Sequence, residues 1–356
     1  MTSAEFSPAP FAVPGVTLPT LEYSLYQPQQ LTSRVPALMI HGFATRGDQL
    51  YGGTGWIRQY LRAGYPMLVV NLPYHTDGYL KDPQFTVDCK LPAHTQVMSG
   101  EIPFDSVPSV DAADVDSAGV DSAGQPLTPI HLLTGALAQL LRTVAAENDL
   151  GVELAPRAHV IGFSFGARVG WELALTHPEA VASLTLGGLP LHDHLITLRA
   201  MLEAHEGTSA SAGAQTPAAD STDEAIASFA SIIDNSPVQP DALLKFVRIP
   251  FGPFFDVPAL RAGSPELPAG NPGAHPRVPV AVVLGDADTI AADGAGLYDM
   301  VREDNPLNRF IPLPGRDHVN ALTSGVFRRG ALAFAAEVEV AEAEAAEGTG
   351  GATNPS

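Results

Sequence analysis

The chain has 356 residues, which is enough to bury a large core and corresponds to about two domains. Much of its net charge of −20 comes from three segments without Lys or Arg, 101–124, 203–234 and 337–347, and the rest of the chain has 22 acidic against 19 basic residues. The absence of a Lys/Arg cluster argues against nucleic-acid and anionic-membrane partners, and the single cysteine, Cys89, excludes an internal disulfide and a thiolate metal site.

Residues 1–20 lack the features of a secretory signal, which are a cationic start and a continuous apolar block. No apolar run in the chain approaches the roughly 18 residues that a membrane helix needs. We therefore expect a cytoplasmic protein without an integral membrane segment. The first structured element is predicted at 21–28, as an outer strand.

Short apolar runs alternate with helical patterns along most of the chain. The runs are rich in Val, Leu and Ile, as is typical of strands buried on both faces of a parallel sheet, and they lie at 37–43, 65–73, 158–164, 181–188, 278–285 and 308–315. The helical patterns lie at 55–64, 129–148, 165–177 and 325–340. This alternation predicts an α/β layered fold.

Two insertions interrupt the alternation. The first lies within the first part of the core, 1–189, and the second separates this part from the second part of the core, 278–340. The insertion at 78–127 is acidic, contains the near-repeat "DSAGVDSAG", and is predicted as loop. The insertion at 190–277 is a long excursion between two core strands, which favours a cap or lid over a site. The acidic, aromatic-poor tail at 341–356 is predicted to be disordered.

The stretch "GFSFG" at 162–166 lies between a predicted strand and a predicted helix. A G-x-S-x-G pattern in that context is typical of a nucleophile elbow, in which the serine projects from the carboxyl edge of the sheet. Side chains two residues before and after Ser164 would collide with the neighbouring elements, and glycine at both positions relieves the collision. The alternative is a tight turn in which Ser164 caps the helix.

A nucleophilic serine needs a base, and the base needs an orienting acid. His318 follows the last predicted strand, and Asp288 follows the strand that ends at Gly285. Both therefore lie at the edge of the sheet where sites form in open α/β folds. Asp286, otherwise a turn-forming residue, and Asp193 are alternative acids.

Hydrolysis of an acyl bond also needs two donors for the developing oxyanion. One is the N–H of Phe165, directly after the serine. The other is the N–H of Phe43 in "HGF", where Gly42 permits a close backbone approach.

With these motifs the sequence resembles the α/β-hydrolase superfamily. The resemblance lies in "ALMIHGF", "VVNLPYHTD", "HVIGFSFG", "VVLGDAD" and "GRDHVNAL", which occur in the family's order between about 37 and 340. It implies a three-layer fold with a mostly parallel eight-stranded sheet, helices on both faces, a cap after the sixth strand, and a Ser/Asp/His triad. The family's G-x-x-D spacing favours Asp288, although some relatives keep the acid where Asp193 lies. "NLPYHT" at 71–76 departs from the family pattern, which has an acidic first residue and a glycine after the proline.

The combined pattern predicts a cofactor-free serine hydrolase of the esterase or lipase type, which forms an acyl-enzyme on Ser164. Related triad chemistries remain open: thioesterase, acyltransferase, C–C hydrolase and perhydrolase reactions. A non-catalytic binding scaffold is a further alternative, since fold does not determine function.

The predicted substrate is a small molecule with an uncharged, hydrophobic acyl group. Candidate pocket residues are His41, Gly42, Phe246, Phe251, Phe254 and Phe255. The phenylalanines of "FVRIPFGPFF" either line an acyl pocket or pack the cap on the body, and His41 lines the pocket or is a satisfied core residue. His192 and His194 lack an obvious third ligand, so we expect a polar cap hinge rather than a metal site.

Overall fold

An eight-stranded sheet forms the centre of the protein in the computed structural model. Its strands are Leu21–Gln27 (β1), Ala37–Ile40 (β2), Met67–Asn71 (β3), Gln96–Ile102 (β4), Ala158–Phe163 (β5), Val181–Gly187 (β6), Val280–Gly285 (β7) and Arg309–Leu313 (β8). Their order is β4-β1-β3-β2-β5-β6-β7-β8, and all neighbours are parallel except β1, which is antiparallel to β3 and β4. The structure describes residues 18, 20–75, 91–92, 94–102, 104, 128–148, 153–195, 198–199, 222–251 and 275–350.

Helices cover both faces of the sheet. They are Gly47–Gly53 (α1), Trp56–Arg62 (α2), Pro129–Glu147 (α3), Phe165–Thr176 (α4), Thr222–Asp234 (α5), Pro240–Val247 (α6), Ala295–Val301 (α7) and Gly325–Gly350 (α8), with short 3₁₀ helices at Pro178–Ala180 and Ala321–Thr323. Within the described ranges, no helix combines the length and the apolar character needed to cross a membrane.

The two faces of β2 lead into two separate parts of the core. Leu38 and Ile40 pack in one buried cluster with α3 and α4, whereas Ala37 and Met39 pack in another with α1, α2 and α8. Successive side chains of a strand point to opposite faces, so this division follows from the strand's pleat. The result is the predicted three-layer α/β architecture.

The predicted strands all form, and the five central ones, β2, β3, β5, β6 and β7, are almost wholly buried, as their continuous apolar runs predict. The helical patterns at 55–64, 129–148 and 165–177 correspond to α2, α3 and α4. The short helices α1 and α7 were not predicted.

The prediction that the insertion at 78–127 is loop is wrong for β4, which pairs with β1 over seven residue pairs. β4 is the outermost strand of the sheet, and most of its side chains are at least partly exposed. An edge strand of this kind needs no continuous apolar run, so the sequence "QVMSGEI" lacks the signal used for the buried strands. The near-repeat at 116–124 lies outside the described residues.

Within the second insertion, residues 222–251 contain α5 and α6 and pack on the carboxyl edge of the sheet. Ser236 Oγ donates a hydrogen bond of 2.8 Å to the carbonyl of Ala44, and the Phe246 ring packs against Phe43 and Phe165. Residues 222–251 therefore lie over the loops that follow β2 and β5.

The prediction of a disordered tail at 341–356 is wrong as far as Gly350, because α8 continues to that residue. The stretch "AEAEAAE" at 341–347 consists of alanine and glutamate, which are among the stronger helix formers. Glu342 also accepts two hydrogen bonds from Arg157, at 2.9 and 2.6 Å. Residues 351–356 lie outside the described ranges.

Glu339 on the same helix holds α8 to the amino edge of the sheet. Its carboxylate accepts hydrogen bonds from Ser33 Oγ, from Tyr65 Oη at 3.0 Å and from His159 Nε2 at 3.4 Å. Burial alone would raise the pKa of Glu339, but the hydrogen bonds from His159, Ser33 and Tyr65 and the charge interaction with His159 outweigh burial and lower it. The acidic segment 337–347 is therefore in part a structural element.

Replacing Glu339 by alanine should lower the free energy of unfolding by roughly 1–3 kcal/mol, because Tyr65 and His159 lose their part-buried, charged acceptor. The lowered pKa means that the stabilisation is present at neutral pH and is lost as the pH falls through the folded-state pKa. The difference between variant and wild type should therefore shrink below about pH 4.3, the ordinary value for glutamate. Urea denaturation across pH measures this, with exposed Glu344→Ala as the control. Equal losses in both variants would contradict the assigned role.

Candidate active site

Ser164 lies in a strained turn between β5 and α4. Its φ and ψ are 53° and −120°, a backbone conformation that L-residues rarely adopt. A Cβ added at Gly162 would lie 2.4 Å from the carbonyl oxygen of Gly166, and one added at Gly166 would lie 2.1 Å from the carbonyl oxygen of Ile40. Neighbouring backbone comes so close to both positions that only glycine fits, as the sequence predicted.

The side chains of Ser164, His318 and Asp288 form a continuous hydrogen-bonded chain. Ser164 Oγ lies 3.0 Å from His318 Nε2, and His318 Nδ1 lies 2.9 and 3.0 Å from the two carboxylate oxygens of Asp288. The carboxylate accepts a hydrogen bond from Nδ1–H. Nε2 then carries no proton and can accept a hydrogen bond from the serine hydroxyl. This is the tautomer in which the imidazole can take the serine's proton.

Asp288 is almost fully buried, and backbone groups compensate for the burial. Its Oδ1 accepts hydrogen bonds from the N–H groups of Ile290 and Ala291, at 3.1 and 2.9 Å. Together with the bonds from His318, these donors fix the carboxylate beside the imidazole.

Neither alternative acid has a hydrogen bond to His318. Asp286 Oδ1 accepts the N–H of Gly315 at 2.6 Å, which is a loop contact of the kind expected for a turn residue. Asp193 accepts a long hydrogen bond of 3.4 Å from Arg168. Of the three carboxylates considered, Asp288 is the one in contact with the imidazole.

The predicted oxyanion donors lie beside the serine. A Cβ added at Gly42 would lie 3.1 Å from Ser164 Cβ, so the loop after β2 lies directly against Ser164. Phe43 and Phe165 are both buried, and within the described part of the chain neither of their N–H groups donates a hydrogen bond. Two N–H groups that have no acceptor among the described residues, in two segments that meet at Ser164, are the arrangement that an anion or a polarised carbonyl requires.

Two buried histidines hold this loop in place. His41 Nδ1 donates to the carbonyl of Gly42 at 2.7 Å, and its Nε2 accepts the N–H of Leu72. His75 Nε2 accepts the N–H of Ala44 at 3.2 Å. Burial lowers the pKa of His41 to about 4 and that of His75 to about 3, so both rings are neutral at physiological pH.

His41 is therefore a satisfied core residue, and its prediction as a pocket residue is wrong. His75 was missed as a positioning residue, although it lies in the quoted stretch "NLPYHT". That stretch departs from the family pattern at Tyr74, where the pattern has a glycine, and Tyr74 adopts a φ of 63°. The departure therefore indicated an unusual turn directly before His75.

Two cavities of different size meet at Ser164. The large cavity has a volume of about 260 Å³ and contains His318; the small cavity has a volume of about 50 Å³ and extends towards Leu189 and Arg168. Phe43 and Phe229 line both cavities. Of the predicted pocket residues, Gly42 lines the large cavity.

The aromatic side chains predicted for the pocket serve a different purpose where they are described. Phe246 packs against Phe43, Phe165 and Phe251, and neither Phe246 nor Phe251 is among the residues that line the two cavities. They attach α6 to the body of the protein. This agrees with the second interpretation of "FVRIPFGPFF", in which these phenylalanines pack the cap on the body. Phe254 and Phe255 lie outside the described residues.

The two histidines of the expected cap hinge each have a protein partner. His192 Nδ1 contacts Asp293, and His194 Nε2 donates to the carbonyl of Ile290 at 3.0 Å. In the part of the chain that the structure describes, no three His, Cys, Asp or Glu side chains form a group able to hold a metal ion.

Comparison with known proteins supports the architecture. No protein-family model and no curated protein sequence matches the chain. Among solved structures, MenH from S. aureus matches with a TM-score of 0.51 and 15% identity over 89% of this chain and 99% of MenH. BpoC from Mycobacterium tuberculosis H37Rv, named as a non-heme bromoperoxidase, matches with a TM-score of 0.50 and 16% identity over 92% of this chain and 99% of BpoC. At this level of identity the likeness establishes the fold alone.

Replacing Gly166 by alanine should lower the free energy of unfolding by about 3 kcal/mol or more, because the new methyl group meets backbone oxygens that cannot move independently. Gly170→Ala on the same helix is the matched control, since its methyl group would meet only the side chains of Leu184 and Val160 at 3.1 and 3.2 Å. That variant should change stability by less than about 1 kcal/mol. Equal stability of the two variants in urea denaturation would contradict the close packing of the turn.

Proposed function

We propose that this chain, which has the α/β-hydrolase fold, is a serine hydrolase that cleaves carboxylic esters through an acyl-enzyme on Ser164. The observation that supports this most strongly is the continuous chain of hydrogen bonds from Asp288 through His318 to Ser164. A buried carboxylate, a correctly oriented imidazole and a hydroxyl in a strained turn together form an activated nucleophile.

In the first half of the reaction, Ser164 Oγ attacks the ester carbonyl carbon while His318 Nε2 takes the hydroxyl proton. The carbonyl oxygen becomes an oxyanion and is stabilised by the N–H groups of Phe43 and Phe165. The tetrahedral intermediate then breaks its bond to the alcohol oxygen, and His318 returns the proton to that oxygen. The products of this half are the free alcohol and an ester on Ser164.

In the second half, a water molecule replaces the alcohol beside His318. The imidazole takes one proton from the water as the water oxygen attacks the acyl carbon, and the same two N–H groups stabilise the oxyanion. Breakage of the bond to Ser164 Oγ releases the carboxylic acid, and the proton on His318 returns to the serine. The sum is ester plus water giving acid plus alcohol, with no cofactor.

Asp288 would act in both halves by orienting the imidazole and stabilising its positive charge. His41 and His75 would act indirectly, by holding the loop that carries the Phe43 N–H. The segment 190–277 would act as a lid, since its described part packs on the edge of the sheet that carries the serine.

Replacing Ser164 by alanine should lower kcat by roughly 10⁶, if the three side chains act as a unit. The measurement is hydrolysis of a short 4-nitrophenyl ester by the purified wild type and variant. A fluorophosphonate probe should label wild-type Ser164 stoichiometrically and should not label the variant. A wild-type protein without labelling or hydrolysis would instead support a non-catalytic scaffold.

Replacing Asp288 by asparagine should lower kcat by about 10⁴, because an amide at this position favours the wrong imidazole tautomer. Asp286→Asn is the matched control, because Asp286 accepts a loop N–H and has no hydrogen bond to His318. The control should retain kcat close to that of the wild type. A larger loss in Asp286→Asn than in Asp288→Asn would reassign the acid.

A further inference from the structure

We infer that the substrate is an ester of a short acyl group and a larger, uncharged alcohol. The acyl group occupies the small cavity beside Ser164, and the alcohol occupies the large one. This inference rests on the proposed function, because it concerns the two sides of the same serine. It depends on which cavity contains the imidazole of His318 and on the volumes of the two cavities.

The position of His318 assigns the two cavities. The imidazole lines the large cavity together with Ser164, but it does not line the small one. His318 must give a proton to the departing alcohol oxygen and later take one from the attacking water, so both oxygens must come within hydrogen-bond reach of Nε2. The alcohol and the water that replaces it therefore occupy the large cavity. The acyl group remains bonded to Ser164 in the meantime and lies on the other side.

The volumes then set the sizes of the two groups. The small cavity measures about 50 Å³ and the large one about 260 Å³. Because one water molecule needs at least about 10–15 Å³, the small cavity has room for roughly three non-hydrogen atoms. An acetyl or propionyl group fits this space, whereas the chain of an octanoyl group does not. The large cavity accepts an alcohol several times bigger.

The lining of the large cavity determines the charge of the alcohol. Apart from Ser164 and His318, its polar side chains in the described part of the protein are the neutral ones of Thr45, Ser231, Asn235 and Ser236. No Asp, Glu, Lys or Arg is among these described lining residues. An ionised alcohol would lose its hydration here without gaining a counter-charge, which is unfavourable. Neutral groups that donate or accept hydrogen bonds are accommodated.

The small cavity is lined by apolar side chains, by one compensated ion pair and by His192 and His194. Its apolar walls include Leu189, Leu198 and Ile290. The guanidinium of Arg168 lies 3.4 Å from the carboxylate of Asp193, so the charges at this wall offset each other. Leu189 is almost fully buried in the lining of this cavity, so a smaller side chain at this position would leave room for a longer acyl chain.

Two ester series measured with the wild-type enzyme test the inference. In the first, 4-nitrophenyl acetate, butyrate and octanoate vary the acyl group alone, and kcat/KM should fall by about tenfold or more from acetate to octanoate. In the second, acetates of methanol, butanol and cyclohexylmethanol vary the alcohol among similar primary alcohols, and kcat/KM should rise with its size. Release of acid at constant pH measures the second series.

A matched pair of variants tests the two cavities separately. Leu189→Ala enlarges the small cavity and should raise the ratio of butyrate to acetate kcat/KM by about tenfold. Ile232→Ala removes a similar aliphatic side chain from the large cavity and should leave that ratio unchanged. Leu198→Ala is the second acyl-side variant if Leu189→Ala does not fold.

The outcomes distinguish this inference from the function on which it rests. A wild-type preference for octanoate over acetate would overturn the inference while leaving a serine hydrolase. The same conclusion would follow if Ile232→Ala, rather than the acyl-side variants, changed the butyrate to acetate ratio. Failure of Ser164 to react with a fluorophosphonate, together with no hydrolysis of any ester, would instead reject the proposed function itself.

Discussion

The close approach of two backbone segments at Gly166 is the constraint on which the candidate site depends. The start of α4 lies so near the end of β2 that any Cβ at residue 166 would meet the carbonyl oxygens of Ile40 and His41. At the same place the turn at Ser164 has a positive φ, and Ser164 lies against the loop that carries Phe43. The proposed nucleophile and the proposed oxyanion donors therefore lie in segments that already meet in this structure.

The other side of the site solves a different physical problem, which is to keep a carboxylate buried beside a histidine. Asp288 accepts two backbone N–H groups as well as the imidazole, so it has partners although water is excluded. In the loop after β2, neutral histidines likewise supply hydrogen-bond partners for backbone groups. Burial lowers the pKa of His41 and His75, and each ring then serves as donor and acceptor at once, which a protonated ring could not do.

The parts that the sequence predicted well are those with a strong local signal. Continuous apolar runs identified the buried strands, and glycines flanking one serine identified the turn, because only glycine fits such backbone contacts. β4 was missed because an exposed edge strand does not need an apolar run. The packing role of Phe246 was undecided for a similar reason, since the same apolar side chain suits a pocket wall and a buried contact. The role of Glu339 could not be predicted at all, because its donors Ser33, Tyr65 and His159 are distant in the sequence.

Those distant contacts explain how the protein supports a strained site. Ser33, Tyr65 and His159 precede or begin β2, β3 and β5, so Glu339 ties α8 to the amino ends of three adjacent strands. The strained turn at Ser164 lies at the opposite ends of the same strands. Backbone strain persists only where the surrounding structure fixes it, and strands anchored at one end and packed on both faces provide that restraint at the other. The acidic C-terminal helix, whose charge first indicated a solvated tail, is therefore one of the elements that hold the serine's strand in place.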